Sequence, residues 1–542
     1  MLRDEGRIWQ CGTHQVSLAR PRIVGILNVT PDSFSDGGAH LDPAAAIAYG
    51  IDLLDQGADI IDVGGESTRP GFEPVDVEEE LRRVSSVVEA LARRGAIVSI
   101  DTRHPQVAQR ALELGACIIN DVTGFTDPEM VRVAAESDCG VIIMHSQPAE
   151  EEHPRREVRL ATAPASDRAV TGEATSLLPV GAAMPAGSSA TPTRAAQLPR
   201  EPRPAEARKP EEAAPAASAK PDALHKTMTA ATVHGVRTRP GRVGAGRRYT
   251  LPDSTAIMRE VMGFLGDQAR MLMRAGVNQR RICVDPGAGF GKSAGEDVVI
   301  QRATSKMVTM GYPLMCGVSR KRFVGAVSGA AAALDRDPAS FGVLLAAVEG
   351  GARLLRVHNV RQTAEALNAF WASSHKDERR AFVAMGSNVD DPFDYLLRAR
   401  DLVDRIPLTC VVSSSHVYES EPALGLTDPV LNAVLELRTE LAPLVLLDHL
   451  LQVEDELGRV RPADGSHGPR TIDLDLIWYD GETHQGTKLQ LPHPGLGERD
   501  FVIVPLDDLV HDGERFLRYA GIEVAEPEDR IGRVTVDLGP LQ

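Results

Sequence analysis

Two aspartates, Asp473 and Asp475, stand two residues apart in the apolar stretch GPRTIDLDLIWYD, with Arg470 just before them and Arg459 and Arg461 upstream in LGRVRPADGSHGPR. In a strand, residues i and i+2 share a face. The two carboxylates therefore point together, while Ile472, Leu474 and Leu476 point the other way. Close carboxylates repel each other unless cations lie between them. Oxygen ligands of this kind suit Mg²⁺ shared with substrate phosphates. Guanidinium groups beside them are good readers of a phosphate chain. The alternative is a solvated strand face with two unrelated charges; the arginine cluster weighs against it.

A second constellation runs through the first two thirds of the chain. Short apolar runs end in polar residues: Asn28, then Thr68 and Arg69 in GGESTRPG, then Asp101, Asn120, Asp121 and His145. Further on come Asp285, followed by PGAGFGKS, the segment GVSRKR with Lys321, and RLLRVH with Arg356 and His358. Any one of these alone reads as a helix cap or turn former. Eight such ends in phase read as one rim. PGAGFGKS has Pro286 where a phosphate-binding loop needs its first glycine, so it reads instead as a glycine-rich wall around a planar ligand. Arg356 and His358, two apart in one strand, can clamp an anion.

The elements that must position these groups are legible as alternation. Eight apolar runs (22–29, 59–64, 96–101, 117–121, 140–144, 281–285, 313–317 and 353–358) are separated by amphipathic helical stretches. Asp42-Pro43, Asp127-Pro128 and Asp337-Pro338 open three of the helices, Asp as cap and Pro in the first turn. In the first, Ile47, Ile51 and Leu54 form one stripe. Eight βα units predict a closed TIM (β/α)8 barrel, an α/β fold with its site at the C-terminal ends of the strands. An open doubly wound sheet is the alternative. Between Glu151 and Arg248 there is no Phe, Tyr or Trp, and Ala, Pro, Ser, Thr and Arg dominate. Such a stretch cannot bury enough apolar surface to order itself. It reads as a disordered, positively charged insertion, about 149–248, in one surface loop. After SSHKDERR (373–380) a new strand begins at AFVAMGSN. The expected division is 1–375 for the barrel and 376–542 for a separate α+β domain.

Composition limits the function classes. A net charge of −17 argues against a general nucleic-acid binder. The six cysteines contain no CxxC pair and read as reduced thiols, hence a cytoplasmic protein. The charged start MLRDEGRIWQ does not read as a signal peptide, and no apolar run reaches membrane-spanning length.

GILNVTPDSFSDGG, DVGGESTRPG, SIDT, IIND, VDPGAGFGK, VSRKRFVG and RVHNV, in this order over residues 20–371, resemble dihydropteroate synthase. The resemblance implies a TIM barrel that joins p-aminobenzoate to 7,8-dihydropterin-6-ylmethyl diphosphate and releases pyrophosphate. It implies that Asp101, Asn120, Asp285 and Lys321 hold the pterin, with Phe290 against its ring. Asn28 helps bind Mg²⁺, and Arg69, Arg356 and His358 hold the diphosphate. Thr68, Pro70 and Lys321 border the aminobenzoate. It also implies a homodimer through the barrel. IMHSQPAE departs from the family's usual sequence after the fifth strand.

AFVAMGSN, LNAVLEL, GRVRP, GPRTIDLDLI, LPHP and ERDFVIVPL, over 380–510, resemble 6-hydroxymethyl-7,8-dihydropterin pyrophosphokinase, which has a ferredoxin-like α+β fold. That resemblance implies ATP as co-substrate, with Asp473 and Asp475 on Mg²⁺ and Arg459, Arg461 and Arg470 on the phosphates. Glu454 lies on the metal-nucleotide side, Asn432 bonds the pterin, Phe501 stacks on it, and His493 sits near the nucleotide. Val430 replaces an aromatic and His467 a tryptophan common in the family. The expectation is a bifunctional enzyme of folate biosynthesis. The alternatives are an active synthase with a degenerate kinase domain and a non-catalytic pterin-binding scaffold.

Overall fold

The computed structural model describes residues 8–30, 42–66, 74–147, 254–424, 426–460 and 469–541. The insertion expected at 149–248 lies outside them, as do Thr68, Arg69, Pro70, Arg461 and His467.

All eight apolar runs are strands, and every neighbouring pair is parallel. The order starts at Ile282–Asp285, steps back one strand at a time to Arg22–Asn28, then continues through Leu354–Val357 to Met315–Cys316. A parallel bridge between Val284 and Leu314 closes the ring. These strands are nearly continuous apolar runs because both faces are covered. Outside, Leu27, Ile61, Ile100, Ile119 and Ile143 pack on the helices. Inside, Val24, Ile60, Ile118, Ile142 and Leu354 fill the lower barrel with Trp9, Val16 and Leu18 of an N-terminal hairpin. That hairpin, Ile8–Cys11 with His14–Ser17, plugs the end where the strands begin, and Trp9 Nε1 donates to Arg281 O at 2.8 Å.

Asp42 and Asp127 cap their helices as expected, accepting from the backbone N–H of Ala44 and Glu129. Asp337 does not. It is already helical, and its carboxylate takes the Arg320 guanidinium at 2.8 Å and the Asn359 amide at 3.0 Å. In helix Pro43–Asp55 the buried face is Ala46, Gly50, Leu53 and Leu54, with Ile47 and Ile51 half-buried at its edge. Gly50 lets that face pack closely, since a Cβ would meet the tip of Leu91 at 2.9 Å.

The chain then enters an antiparallel sheet ordered Asp473–Tyr479, Arg379–Ser387, Val430–Thr439, His416–Ser420 and Val534–Pro540, with Thr409–Ser414 also pairing on Val430–Thr439. Adjacent residues Phe382 and Val383 belong to different cores. Val383 joins Leu396, Leu446 and Leu450 from helices Pro392–Val403 and Pro443–Glu456. Phe382 joins Val502, Ile503 and Leu517 from helices Asp500–Val510 and Gly513–Tyr519. The sheet is thus covered by helices on both faces, an α+β arrangement.

Candidate active sites

The barrel rim assembles a buried charged network. Asp101 and Asn120, at or next to the ends of paired strands, are 7% and 3% exposed, and Asp285 is 4% exposed. Arg356 Nε donates to Asp62 Oδ2 at 2.6 Å, and its Nη2 contacts Asp101 Oδ2. Asn120 Nδ2 donates to the same Asp62 oxygen at 3.1 Å. Asp101 Oδ1 and Asn120 Oδ1 are buried without a hydrogen-bond partner. Buried acceptors left open in this way call for a ligand that donates. The Asp101 carboxyl is raised to about 7, by burial first and by Asp62 and Glu80, with Arg356 opposing them. Burial also raises Asp285, which accepts from Gly287 N–H at 2.7 Å. Gly287 has φ +65, and a Cβ there would lie 1.9 Å from His145 O, so only glycine lets this wall close on the fifth strand.

Lys321 Nζ lies 4.0 Å from the Phe290 ring centroid, over its face. Burial first, then Arg356, lowers its pKa to about 8. His358 meets Ser319 Oγ through both its backbone N–H at 3.2 Å and its Nδ1 at 3.1 Å. Asn28, Phe290, Lys321, Arg356 and His358 line one cavity of about 720 Å³. Asp101, Asn120 and Asp285 are not on its wall; Asp101 and Asn120 connect to it through the Arg356–Asp62 contacts.

Sequence reasoning passed over Asp62. Its signal was the second carboxylate of DIIDVG, inside the strand Ile60–Gly64, which is otherwise without charge and has no solvent face. It passed over Lys292 as well, which donates to the backbone oxygens of His145, Gly287 and Phe290 and so ties the glycine-rich wall to the fifth strand.

In the second module, Asn432, Arg459, Arg470, Asp473, Asp475, His493 and Phe501 all line one cavity of about 290 Å³. The strand geometry is responsible. Asp473 pairs with Gly386 and Asp475 with Ala384, and Ile477 continues the same cavity-facing row. Arg459 Nη1 bonds Asp473 at 2.5 Å and Arg470 Nη1 contacts its other oxygen. Burial first, and Asp473 second, raises Asp475 to about 6. Glu454 is 2% exposed, accepts from Leu474 N–H at 2.8 Å and lies 3.6 Å from Arg459, so it pins the aspartate strand to its helix. Asn432 gives its amide hydrogens to Ser420 Oγ and Val430 O, both at 2.9 Å, leaving its oxygen as the group to offer. His493 Nδ1 accepts from Gly495 N–H at 3.1 Å, which places the ring proton on Nε2. Its pKa falls to about 4 through burial and Arg499. Arg499 was missed; it lines the cavity near Phe501, 5.8 Å from that ring. Among the described residues no group of three or more His, Cys, Asp or Glu forms a ready metal cluster.

The pterin binding enzyme model matches residues 24–174 and 224–358. The chain belongs to that family. The model for 7,8-dihydro-6-hydroxymethylpterin-pyrophosphokinase matches residues 382–511, so the chain is a fusion of a pterin-binding barrel with a pyrophosphokinase module. Dihydropteroate synthase of Neisseria meningitidis serogroup C is 31% identical over 369 residues, covering 67% of this chain and 97% of the relative. That of Escherichia coli K12 is 29% identical over 367 residues, covering 67% and 96%. A solved Xanthomonas albilineans dihydropteroate synthase with 4-aminobenzoic acid is 29% identical, with a TM-score of 0.47, covering 68% of this chain and 99% of that one.

Proposed function

We propose that the chain carries out two consecutive steps of folate biosynthesis, with the division into modules falling near residue 375. The second module transfers the diphosphate of ATP to 6-hydroxymethyl-7,8-dihydropterin. The barrel condenses the resulting diphosphate with p-aminobenzoate to 7,8-dihydropteroate and pyrophosphate. The observation that carries the reading is the pair of open acceptors, Asp101 Oδ1 and Asn120 Oδ1, buried beside Arg356 in a family that binds pterins.

In the barrel, Asp101, Asn120 and Asp285 accept the N–H donors of the aminopterin edge. Lys321 and Phe290 border the ring, and Lys321 also reaches the aminobenzoate together with Thr68 and Pro70. Arg356, His358 and Arg69 take the negative charge that grows on the diphosphate as its bond to the methylene carbon breaks. The aminobenzoate nitrogen forms the new bond to that carbon and loses a proton. The oxygen of Asn28 suits a Mg²⁺ ion shared with the diphosphate.

In the second module, Asn432 and Phe501 hold the pterin, and Arg459, Arg461 and Arg470 hold the ATP phosphates. The substrate hydroxyl oxygen attacks the β-phosphorus and AMP leaves. Asp473 and Asp475, two carboxylates on one strand face with Asp475 raised to about 6 by burial and by Asp473, fit Mg²⁺. When bound, that ion neutralises phosphate charge and draws the phosphates into line for attack. His493, neutral and with its proton on Nε2, donates toward the nucleotide. Val430 is 7% exposed and gives the pocket an apolar wall where the resemblance expects an aromatic.

The resemblance also brings a homodimer through the barrels and a cytoplasmic location into the proposal. No described helix is long and apolar enough to cross a membrane.

A coupled assay tests the reading. One reaction receives 6-hydroxymethyl-7,8-dihydropterin, ATP, Mg²⁺ and p-aminobenzoate; a parallel one receives the pterin diphosphate and p-aminobenzoate. Dihydropteroate in both establishes two working sites. Product only in the second leaves a synthase with a silent kinase module. Product in neither, with pterin still bound, supports the scaffold alternative and overturns the proposal.

A further inference from the structure

The barrel and the C-terminal module touch on the barrel face opposite the rim. Arg22 is the first residue of its strand and Asn28 the last. At about 3.3 Å per residue these ends are roughly 20 Å apart. The described residues of both modules fall in one compact unit.

Among the described residues, besides the Trp371–Asp377 bond at the junction, two polar contacts between distant segments join them. Arg22 is buried, with its side chain 8% exposed. Within the barrel module, its Nε donates to Ser17 O at 2.6 Å and its Nη1 to Asp59 Oδ1 at 3.0 Å. From the other module, Glu482 grips the same guanidinium with both oxygens, Nη2 donating to Oε1 at 3.2 Å and Nη1 to Oε2, and the Glu482 side chain is 9% exposed. The second contact involves Asp55, the last residue of helix Pro43–Asp55. It accepts from the backbone N–H of Thr487 at 2.6 Å and of Lys488 at 3.1 Å, and from the Thr487 hydroxyl. Thr487 and Lys488 lie in the turn between the short strands His484–Gln485 and Gln490–Leu491. Fit is close there: a Cβ on Gly486 would meet Asp55 Oδ1 at 2.4 Å.

The charge balance gives the contact a direction. Without the second module, Arg22 still has Asp59. Without Arg22, Glu482 would lose both of its bonds to a cation and keep only the field of Arg379, and buried charges are kept only when paired. Polar groups that must meet in one register also reject other registers. A cavity of about 490 Å³ lined by both modules leaves part of the seam open, while elsewhere the fit is close: a Cβ on Gly95 would meet Gln485 at 3.2 Å.

We propose that the N-terminal face of the barrel is a docking surface for the pyrophosphokinase module, its register set by Arg22, Asp59 and Glu482 and by the Asp55 cap on the turn at Thr487. The module is seated on the barrel rather than tethered to it.

Hydrogen exchange on the full chain tests this, and it does not depend on either activity. The amides of Thr487 and Lys488 are expected to be protected in the wild type and to exchange at least about tenfold faster in Asp55→Ala, the loss expected for charge-assisted hydrogen bonds. Glu482→Ala is expected to speed the same amides although Glu482 bonds neither, because a seated module loosens as a unit. Both half-reactions, each given its own substrate, should keep wild-type rates in the variants. Wild-type amides exchanging like those of an unstructured chain, or unchanged exchange in both variants, would overturn the proposal. If Asp55→Ala fails to fold, the wild-type protection and Glu482→Ala still decide it. Absent turnover with protection intact would count against the functional reading alone.

Discussion

Asn120 Nδ2 donates to Asp62 Oδ2 at 3.1 Å, and this one contact decides which end of the Asn120 amide is left as an open acceptor. With its hydrogens turned to Asp62, Asn120 offers an acceptor. Asp62 also holds Arg356 at 2.6 Å, so a single carboxylate that is 1% exposed orients two groups of the candidate pterin site.

Removing that carboxylate should therefore hurt both stability and pterin handling. Asp62→Ala strips the Arg356 guanidinium of one partner while Asp101 remains, a loss of about 1–3 kcal/mol. A fall in denaturant midpoint measures it. Asp62→Asn is the milder variant. Its amide can turn a hydrogen toward Asn120 and flip that residue, and pterin diphosphate affinity should drop about tenfold or more. The KM for p-aminobenzoate should stay near wild type. Equal losses for both substrates would mean that Asp62 merely supports the fold.

The synthase should have a narrow pH window. Asp101, raised to about 7 by burial, must be ionised to hold Arg356, so activity falls as pH drops below that value. Lys321, lowered to about 8 by burial and Arg356, loses its charge above that value. On the alkaline side kcat/KM for the pterin diphosphate should fall up to about tenfold per pH unit. Unfolding can be separated from this. The folded state holds the Lys321 proton less tightly than the unfolded chain, whose value is 10.5, so on this group's account stability rises between about 8 and 10.5. A pH–rate profile recorded beside a melting curve tells the two apart; a flat profile to pH 10 would exclude Lys321 as the titrating group.

Much of this was legible in the sequence, for physical reasons that also mark where legibility stopped. The eight barrel strands announce themselves because parallel strands buried on both faces must be apolar throughout. Asp473 and Asp475 stood out for the converse reason, as charges in such a run. Asp62 obeys the same logic, but its apolar neighbours masked it inside DIIDVG. Asp337 read as a helix cap, since local pattern cannot reveal that Arg320 would claim it. Arg22 and Glu482 are 460 positions apart, and nothing local in either segment points to the other.

The kinase reaction should lose rate below about pH 6, where Asp475, raised by burial and by Asp473, takes up a proton. On the proposed Mg²⁺ ligation by Asp475, metal and proton would compete for the same oxygens, so raising Mg²⁺ should move the midpoint to lower pH. Asp475→Asn should abolish the Mg²⁺ dependence of that midpoint and lower the rate by about a hundredfold or more. An unchanged midpoint across Mg²⁺ concentrations would assign the titration to another group.

The docking arrangement bears on how the intermediate travels. The pyrophosphokinase module sits on the face where the barrel strands begin, and the barrel cavity lies where they end. Among the described residues the two cavities share no lining residue. The pterin diphosphate made in one should therefore enter solvent before reaching the other. In the coupled reaction, isotopically labelled hydroxymethyl-dihydropterin with ATP supplies labelled intermediate, and unlabelled pterin diphosphate is added as a competitor. Free exchange predicts dihydropteroate label diluted in proportion to the added pool, and a lag before product in its absence. Label that stays undiluted would require a protected route between the cavities. With the seated geometry confirmed by hydrogen exchange, such a route would have to run along the outside of the barrel.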